Sequence, residues 1–200
     1  MQRLCCLCLR LSQRGHYHCA AESLLTQDRL FAIMDENPER HSERTDNPAL
    51  VRPLSLRFHP DPVLRETCRA VERFDSWLSD VFDEMLTLMR THNGIGLAGP
   101  QVGLTQRLFA AEIQGCSICL VNPTITARRG ADRMVEGCLS LPRVQVDVQR
   151  DWQIEVQGFD VRGCKREYDV EGLWARVMQH EIDHLDGILI YDYKELRRHV

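Results

Sequence analysis

The chain has 200 residues and a formal net charge of -4, and this length suits one domain with a substantial hydrophobic core. Hydrophobic residues make up 44% of the sequence and charged residues 27%, which is the composition of an ordinary globular protein. The pI near 6.1 gives no basic footprint and argues against direct nucleic-acid binding. No apolar run approaches the length of a membrane span, so we also expect no membrane partner.

Residues 1–52 show no sustained hydrophobic periodicity, which predicts a disordered N-terminal extension before an ordered domain at residues 53–200. The first 21 residues contain three arginines and no acidic residue, a composition typical of an organelle transit peptide. Met34 permits another interpretation, in which translation starts inside the extension. We favour this second interpretation and a cytoplasmic protein, with mitochondrial localisation as the alternative if the extension is a transit peptide.

The clearest helical pattern of the chain follows residue 75. Its apolar residues recur every three or four positions: Leu78, Val81, Phe82, Met85, Leu86 and Met89. Asp75 or Ser76 would cap the N terminus of this helix, and Asn93 with Gly94 would end it. The pattern predicts a structural helix with one buried face.

Residues 94–103 read GIGLAGPQVG, with four glycines in ten positions. Glycine lets a backbone approach another group closely, so a binding loop is one interpretation and a plain loop is another. A phosphate-binding loop is disfavoured because no Lys-Ser or Lys-Thr follows and no strand precedes the segment. Gln101 is the single polar side chain here, and a rigid backbone would hold its amide as a hydrogen-bond donor.

Five segments of the second half show β-strand patterns, and the clearest one alternates Val144, Val146 and Val148 with polar residues. The predicted strands span residues 107–113, 118–125, 144–148, 153–157 and 166–170. Strands that are followed by one buried helix favour an α+β fold over an alternating α/β fold. We therefore predict antiparallel or mixed β-sheets packed around a central buried helix.

Residues 172–186 predict that central helix. A helical wheel places these residues on its buried side: Leu173, Trp174, Val177, Met178, His180, Glu181, Ile182, His184 and Leu185. The polar residues collect on the remaining arc: Arg176, Gln179, Asp183 and Asp186. Two histidines and a glutamate thus point inward, and buried ionisable groups need partners.

Histidines four residues apart lie on one face of a helix, so His180 and His184 can bind one metal ion. A lone buried histidine is more often a hydrogen-bonded core residue, but two of them with the inward Glu181 favour a metal site. The segment EGCLSLP at residues 136–142 supplies Cys138 as a candidate third ligand. Cysteine is also a common small core residue, so this assignment depends on the surrounding sequence.

Three segments, GIGLAGPQ at residues 94–101, EGCLS at 136–140 and QHEIDH at 179–184, resemble the three motifs of the peptide deformylases, in the same order. The resemblance extends from His59 to Tyr193. It implies that residues 53–200 form a catalytic domain. The implied reaction is hydrolysis of the formyl group from the N-terminal formylmethionine of nascent polypeptides, and association with the ribosome is implied as well.

The same resemblance implies one divalent metal ion bound by Cys138, His180 and His184, with a water molecule as the fourth ligand. In this family the ion is usually Fe²⁺, and Zn²⁺, Ni²⁺ or Co²⁺ can replace it. Thiolate and imidazole accept all of these ions, so the ligand set alone does not select one.

The family's reaction implies further roles for residues of the three motifs. Glu181 is the general base that activates the metal-bound water and then the acid that protonates the leaving amine. The Gln101 side-chain amide and the Leu139 backbone N–H are the oxyanion donors. Gly96 belongs to the substrate-binding rim.

Two of the departures from the family pattern lie at Gly99 and Ser117. Gly99 replaces a usual alanine, which we expect to loosen the loop slightly. Ser117 stands where many members carry a substrate-binding arginine, which motivates an alternative in which a divergent member acts on another N-formyl substrate. A non-catalytic metal-binding protein is a third hypothesis, but an inward Glu181 beside an open ligand position argues against it. A formyl-methionine peptide assay with metal quantification separates these hypotheses.

Overall fold

The computed structural model describes residues 53–195, so the prediction for the N-terminal extension lies outside the described residues. These residues form an α+β domain, as predicted. The helices are α1 (Ser76–Thr91), α2 (Leu173–Leu185) and α3 (Asp192–Glu195). The strands are β1 (Gly96–Ala98), β2 (Leu108–Ile113), β3 (Cys116–Arg129), β4 (Asp132–Cys138), β5 (Leu141–Arg150), β6 (Gln153–Phe159) and β7 (Lys165–Glu171).

The strands form two antiparallel sheets. One has five strands in the order β1-β2-β3-β6-β7, and the other is the hairpin of β4 and β5. All five predicted strands are confirmed, and most of them extend beyond their predicted ends. The short β1 and the strand β4 were not predicted. The β4 sequence DRMVEGC lacks apolar alternation, and Glu136 is its one fully buried residue, so periodicity could not reveal it.

The five-stranded sheet lies between α1 and α2. Alternate residues of a strand face opposite sides of a sheet. Leu108 and Ala110 accordingly pack in one cluster with α1, whereas Phe109 and Ala111 pack in another with α2. The predicted cap of α1 is confirmed, because the Asp75 side chain accepts a hydrogen bond from the Trp77 N–H at 3.0 Å.

The helix α2 is buried on almost all sides, as predicted for the central helix. The helical wheel was wrong about three residues, because Arg176 and Gln179 are only 4% exposed and Leu173 is 43% exposed. A helical wheel assigns polar residues to a face that contacts water, which is why it predicted exposure for Arg176 and Gln179. In the structure the polar face of α2 instead meets ion-pair and amide partners from β4, β5 and the turn after β5.

The β4–β5 hairpin has its own small apolar core. Val146, Val148 and Leu141 pack against Leu64 and Leu189, which lie in the turn before α1 and the segment after α2. The end of β4 lies next to the middle of α2, where the predicted metal ligands lie. No helix within residues 53–195 is long and apolar enough to cross a membrane.

Candidate metal centre and active site

The three predicted metal ligands come together at the contact between β4 and α2. Cys138 is the last residue of β4, and His180 and His184 lie one turn apart on α2. Their ligand atoms all lie within 4.8 Å of one another, and the Cys138 Sγ is 3.2 Å from the His184 Nε2. Among the described residues this is the one such group of three metal-binding side chains.

The chemistry of these side chains fits a bound transition-metal ion. One thiolate and two imidazoles are donors that Fe²⁺, Zn²⁺, Ni²⁺ and Co²⁺ accept. Burial lowers the pKa of His184 well below its usual value, which favours the neutral form that a ligand requires. The buried Oε2 atom of Glu181 has no hydrogen-bond partner among the described residues, and a water ligand on the ion would supply one.

The orientation of His180 is set by Glu136. The Nδ1 of His180 lies 3.0 Å from the Glu136 Oε2, so a donated N–H there leaves the Nε2 available to bind a metal. Burial would raise the pKa of Glu136, but hydrogen bonds from His180 and Arg150 lower it to about 2. Glu136 is therefore a carboxylate at neutral pH, as this role requires.

Sequence reasoning did not assign a role to Glu136 or to its arginine partners. Glu136 is 7% exposed and accepts hydrogen bonds from Arg150 and Arg176, both of which are also buried. Arg150 lies just beyond a predicted strand segment, and Arg176 lies on a predicted polar arc. Neither position carries a local signal of burial, so only the contact between the hairpin and α2 shows the cluster.

Glu181 lies at the base of the site and is 3% exposed. Burial raises the pKa of this carboxyl group to about 7. Gly96 of β1 faces it so closely that a Cβ atom at position 96 would lie 2.1 Å from the Glu181 Oε1 and 3.0 Å from the Val177 Cγ1. The predicted rim residue Gly96 is thus the neighbour that leaves space for the Glu181 carboxylate.

Replacing Gly96 by alanine is expected to displace the Glu181 carboxylate, since the methyl group and the oxygen cannot occupy the same volume. A misplaced acid/base group commonly costs on the order of 10²-fold in rate. We expect kcat on a formyl-methionine peptide to fall by this amount while metal content is retained, as measured by metal analysis of the same sample. Gly115, which does not line the cleft and where an added Cβ meets nothing within 4 Å, provides the control variant Gly115→Ala, with thermal unfolding measured alongside because of its positive φ. Unchanged kcat in Gly96→Ala would contradict the tight fit.

Gln101 lies in a 3-10 turn, Gly99–Val102, and is 1% exposed. Its Oε1 accepts a hydrogen bond from the Ala98 N–H at 2.8 Å, which turns the Nε2 toward the Cys138 Sγ at 3.5 Å. The turn is tight at Gly99, because a Cβ there would lie 2.7 Å from the Gln106 carbonyl oxygen. In this chain the glycine therefore accompanies close backbone packing.

The metal-ligand group opens into a cleft of about 290 Å³ between α2, β1 and β4. Its walls are mainly apolar and include Ile95, Met134, Val135, Leu139, Leu173 and Val177. Leu139 occupies the turn between β4 and β5, next to Cys138. Ser117 is exposed on β3, pairs with Glu112 and is not among the residues that line this cleft.

Comparison with known proteins shows the family to which the chain is similar. The family described as Polypeptide deformylase matches residues 53–199. The peptide deformylase of Caldicellulosiruptor bescii is 44% identical over 68% of this chain and 82% of its own length, and that of Rhodopirellula baltica is 41% identical over 70% and 72%.

Solved structures give the same result. The crystal structure of the Thermus thermophilus peptide deformylase matches with a TM-score of 0.68 and 44% identity, covering 72% of this chain and 87% of that one. The peptide deformylase from Thermotoga maritima matches with a TM-score of 0.69 and 38% identity, covering 71% and 97%. These matches give no support to another N-formyl substrate or to a non-catalytic metal protein. The chain belongs to the polypeptide deformylase family, the metal-dependent hydrolases that remove the N-formyl group from nascent polypeptides.

Proposed function

We propose that Cys138, His180 and His184 hold the metal ion of this enzyme and that Glu181 is its general acid and base. One observation carries the proposal: three ligand atoms within 4.8 Å of one another lie beside a buried Glu181 oxygen that has no hydrogen-bond partner among the described residues. Three protein ligands are the number found at catalytic metal sites, whereas a structural site is closed by four. When bound, the metal acts as a Lewis acid that lowers the pKa of a coordinated water toward ~7.

For the metal itself we propose Fe²⁺, with Zn²⁺, Ni²⁺ or Co²⁺ as replacements. The thiolate of Cys138 and the two imidazoles suit each of these ions. The buried Glu136 supports all of them equally, because it orients His180 whichever ion is present. Metal analysis of protein purified without oxygen distinguishes the four ions.

Glu181 is suited to move a proton in both directions. Its pKa of about 7 lies close to neutral pH, which is where a group that first accepts and then donates a proton is most effective. It takes a proton from the attacking water and passes it to the leaving amine of the peptide. The surrounding burial that raises this pKa also excludes bulk water from the transfer.

Gln101 and Leu139 are proposed to stabilise the oxyanion that forms on the formyl oxygen. The Gln101 amide is pre-oriented, since its oxygen is held by the Ala98 N–H and its nitrogen points at Cys138. The Leu139 N–H belongs to the turn that follows Cys138, and Leu139 lines the same cleft as Gln101. Donors that are already in place need no reorganisation during the reaction, which is why such groups lower the barrier.

Replacing Gln101 by leucine is expected to lower kcat about 10²-fold with little change in KM, because it removes a donor that acts mainly in the transition state. The Ala98 N–H also loses its acceptor, so we expect the free energy of unfolding to fall by about 1–2 kcal/mol. Steady-state kinetics and thermal unfolding measure the two effects separately. A kcat within a few-fold of the wild-type value would show that Gln101 is not an oxyanion donor.

The substrate is proposed to enter with its methionine side chain in the apolar cleft. Gly96 lies at the rim beside Glu181, and the exposed Met134 and Leu173 contribute to the walls from β4 and α2. Burial of an apolar side chain in such a cleft contributes favourable free energy roughly in proportion to the area removed from water. Nascent formylmethionyl chains are therefore the proposed partners, with ribosome association as a further proposal.

The location of the enzyme and the organisation of the chain are also proposals. We propose residues 53–200 as the catalytic domain and residues 1–52 as an extension that takes no part in the chemistry. The bacterial origin of the relatives compared above favours the bacterial cytoplasm. Import of the full chain into isolated mitochondria, followed by cleavage within the extension, would favour the transit-peptide alternative.

A formyl-methionine peptide assay tests the proposed function directly. The full chain is purified without oxygen, its metal content is measured, and formate release from formyl-Met-Ala-Ser is followed. We expect about one metal ion per chain and turnover that is lost after chelation and restored by Fe²⁺ or Ni²⁺. Full metal content without turnover, even after reconstitution with either ion, would contradict the proposal.

A further inference from the structure

The three metal ligands are carried by two parts of the fold that share no apolar cluster among the described residues. His180 and His184 belong to α2, whose apolar residues pack with the five-stranded sheet. Cys138 belongs to the β4–β5 hairpin, whose apolar residues pack with the turn before α1 and the segment after α2, apart from Leu139, which packs in the cluster of α1. The position of Cys138 relative to the two histidines therefore also depends on polar contacts between the hairpin and α2.

Arg176 supplies such contacts from α2 to both strands of the hairpin. Its Nη1 donates to the Glu136 Oε1 at 2.6 Å and to the Val148 carbonyl oxygen at 3.1 Å. Its Nη2 donates to the Asp132 carbonyl oxygen at 3.0 Å and to the Asp132 Oδ2 at 3.1 Å. Asp132 and Glu136 lie in β4 and Val148 lies in β5, so one side chain joins α2 to both strands.

A second arginine makes the reciprocal connection. Arg150 of β5 donates to both oxygens of Glu136 and, through its Nη1, to the Asp183 carboxylate of α2 at 2.8 Å. Each arginine thus has at least one carboxylate on the opposite part of the fold. Buried ion pairs add little net stability over apolar packing, but in some proteins they specify one geometry.

Arg176 also lies one helical turn before His180, on the same side of α2. Glu136 accepts from Arg176 through one oxygen and from His180 through the other. A carboxylate that is held at one oxygen presents its other oxygen in a fixed direction. Arg176 therefore acts on His180 through Glu136 and on Cys138 through the strand that ends in this cysteine.

We propose that Arg176 is a positioning residue that fixes the β4–β5 hairpin on α2 and thereby sets the geometry between Cys138 and the two histidines. The proposal rests on the metal ligands assigned above. It assigns to Arg176 no contact with substrate or with the reacting atoms. Because apolar replacement of a buried ion pair can leave stability unchanged, metal affinity and stability are expected to respond differently to its removal.

The test uses cobalt-loaded full-length protein and the variants Arg176→Met and Arg176→Lys. Arg133→Met is the matched control, since Arg133 lies on β4 but is exposed, and its partners Asp147 and Gln149 belong to the same hairpin. Chelator competition gives the Co²⁺ affinity, and the thiolate-to-cobalt absorption band in the near ultraviolet reports the Cys138 ligand. Hydrogen exchange of residues 132–150 in the metal-free protein reports how firmly the hairpin is held.

We expect Arg176→Met to bind Co²⁺ about 10-fold more weakly or worse, which is the range for loss of a partner behind a metal ligand. Its thiolate band should weaken or shift, and the hairpin amides should exchange faster than in Arg133→Met. Arg176→Lys keeps the charge but has three donors on one nitrogen in place of the five-donor fork, so it should keep only some of these contacts and show a smaller change in the same direction. If Arg176→Met does not fold, the lysine variant decides.

Wild-type affinity, absorption and exchange in the Arg176 variants would overturn the positioning role. If the wild-type protein shows no thiolate band on loading with Co²⁺, the ligand assignment is overturned instead. The two failures are distinguishable, because failure of the positioning role requires a normal band in the wild type and failure of the ligand assignment requires its absence.

Discussion

Replacing Glu181 by glutamine is expected to lower kcat/KM on a formyl-methionine peptide by about 10²–10⁴-fold, the usual contribution of a general acid or base. The amide has nearly the same shape as the carboxyl group but cannot accept and return a proton. It does not remove a metal ligand, so the variant should still bind one ion per chain. Peptide kinetics and metal analysis of the same preparation measure both properties.

A control for the Glu181→Gln experiment is available on the strand that precedes α2. Glu171 is exposed at the end of β7, so Glu171→Gln makes the same chemical change away from the cleft and should leave activity unchanged. Persistent turnover in Glu181→Gln would show that another group transfers the proton. Loss of metal together with activity would show that Glu181 has a structural role in the centre rather than the proposed one.

Replacing Cys138 by alanine is expected to weaken metal binding by more than about 100-fold, beyond the usual effect of losing a partner behind a ligand. Two imidazoles from adjacent turns of one helix remain, and they do not complete a catalytic site. Turnover should disappear with the metal and should not return when stoichiometric Fe²⁺ or Ni²⁺ is added. Chelator competition on the wild type and the variant measures the change.

Cys119→Ala is the matched control for the Cys138 variant, since Cys119 is also a half-buried thiol but lies on β3, outside the metal-ligand group. It should retain its metal and its activity. Full metal content in Cys138→Ala would mean that a different side chain is the third ligand. A thermal unfolding measurement on the metal-free proteins separates loss of a ligand from simple destabilisation.

Local patterns were sufficient for much of the fold. The spacing of six apolar residues predicts one buried face, and in α1 five of them are buried and Leu86 is half-buried: Leu78, Val81, Phe82, Met85, Leu86 and Met89. The alternation of Val144, Val146 and Val148 predicts a strand, and β5 contains all three. Such patterns work because side-chain direction follows from backbone geometry within one or two turns. Strand β4 has no such pattern, since it is exposed over most of its length.

The functional site also has a part that local sequence patterns predict and a part that they do not. His180, Glu181 and His184 were recognised as one constellation because residues four apart on a helix lie on one face. The roles of four others, Cys138, Gln101, Leu139 and Gly96, were assigned by resemblance to a family. The structure brings these side chains and segments around one cleft, but nothing in the local sequence requires that contact.

The sequence by itself determined the class of fold, the buried helix and the pair of histidines on it, because each depends on spacing along one element. Only the tertiary structure decided that the β4–β5 hairpin packs against that helix and places Cys138 beside its histidines. It also decided that Arg176, whose place on a helical wheel indicates exposure, is buried with Glu136 and Asp132 as its partners. The physical reason is that an arginine is expected at the surface until its partners are known. Those partners lie on a hairpin that packs against α2 only in the folded chain.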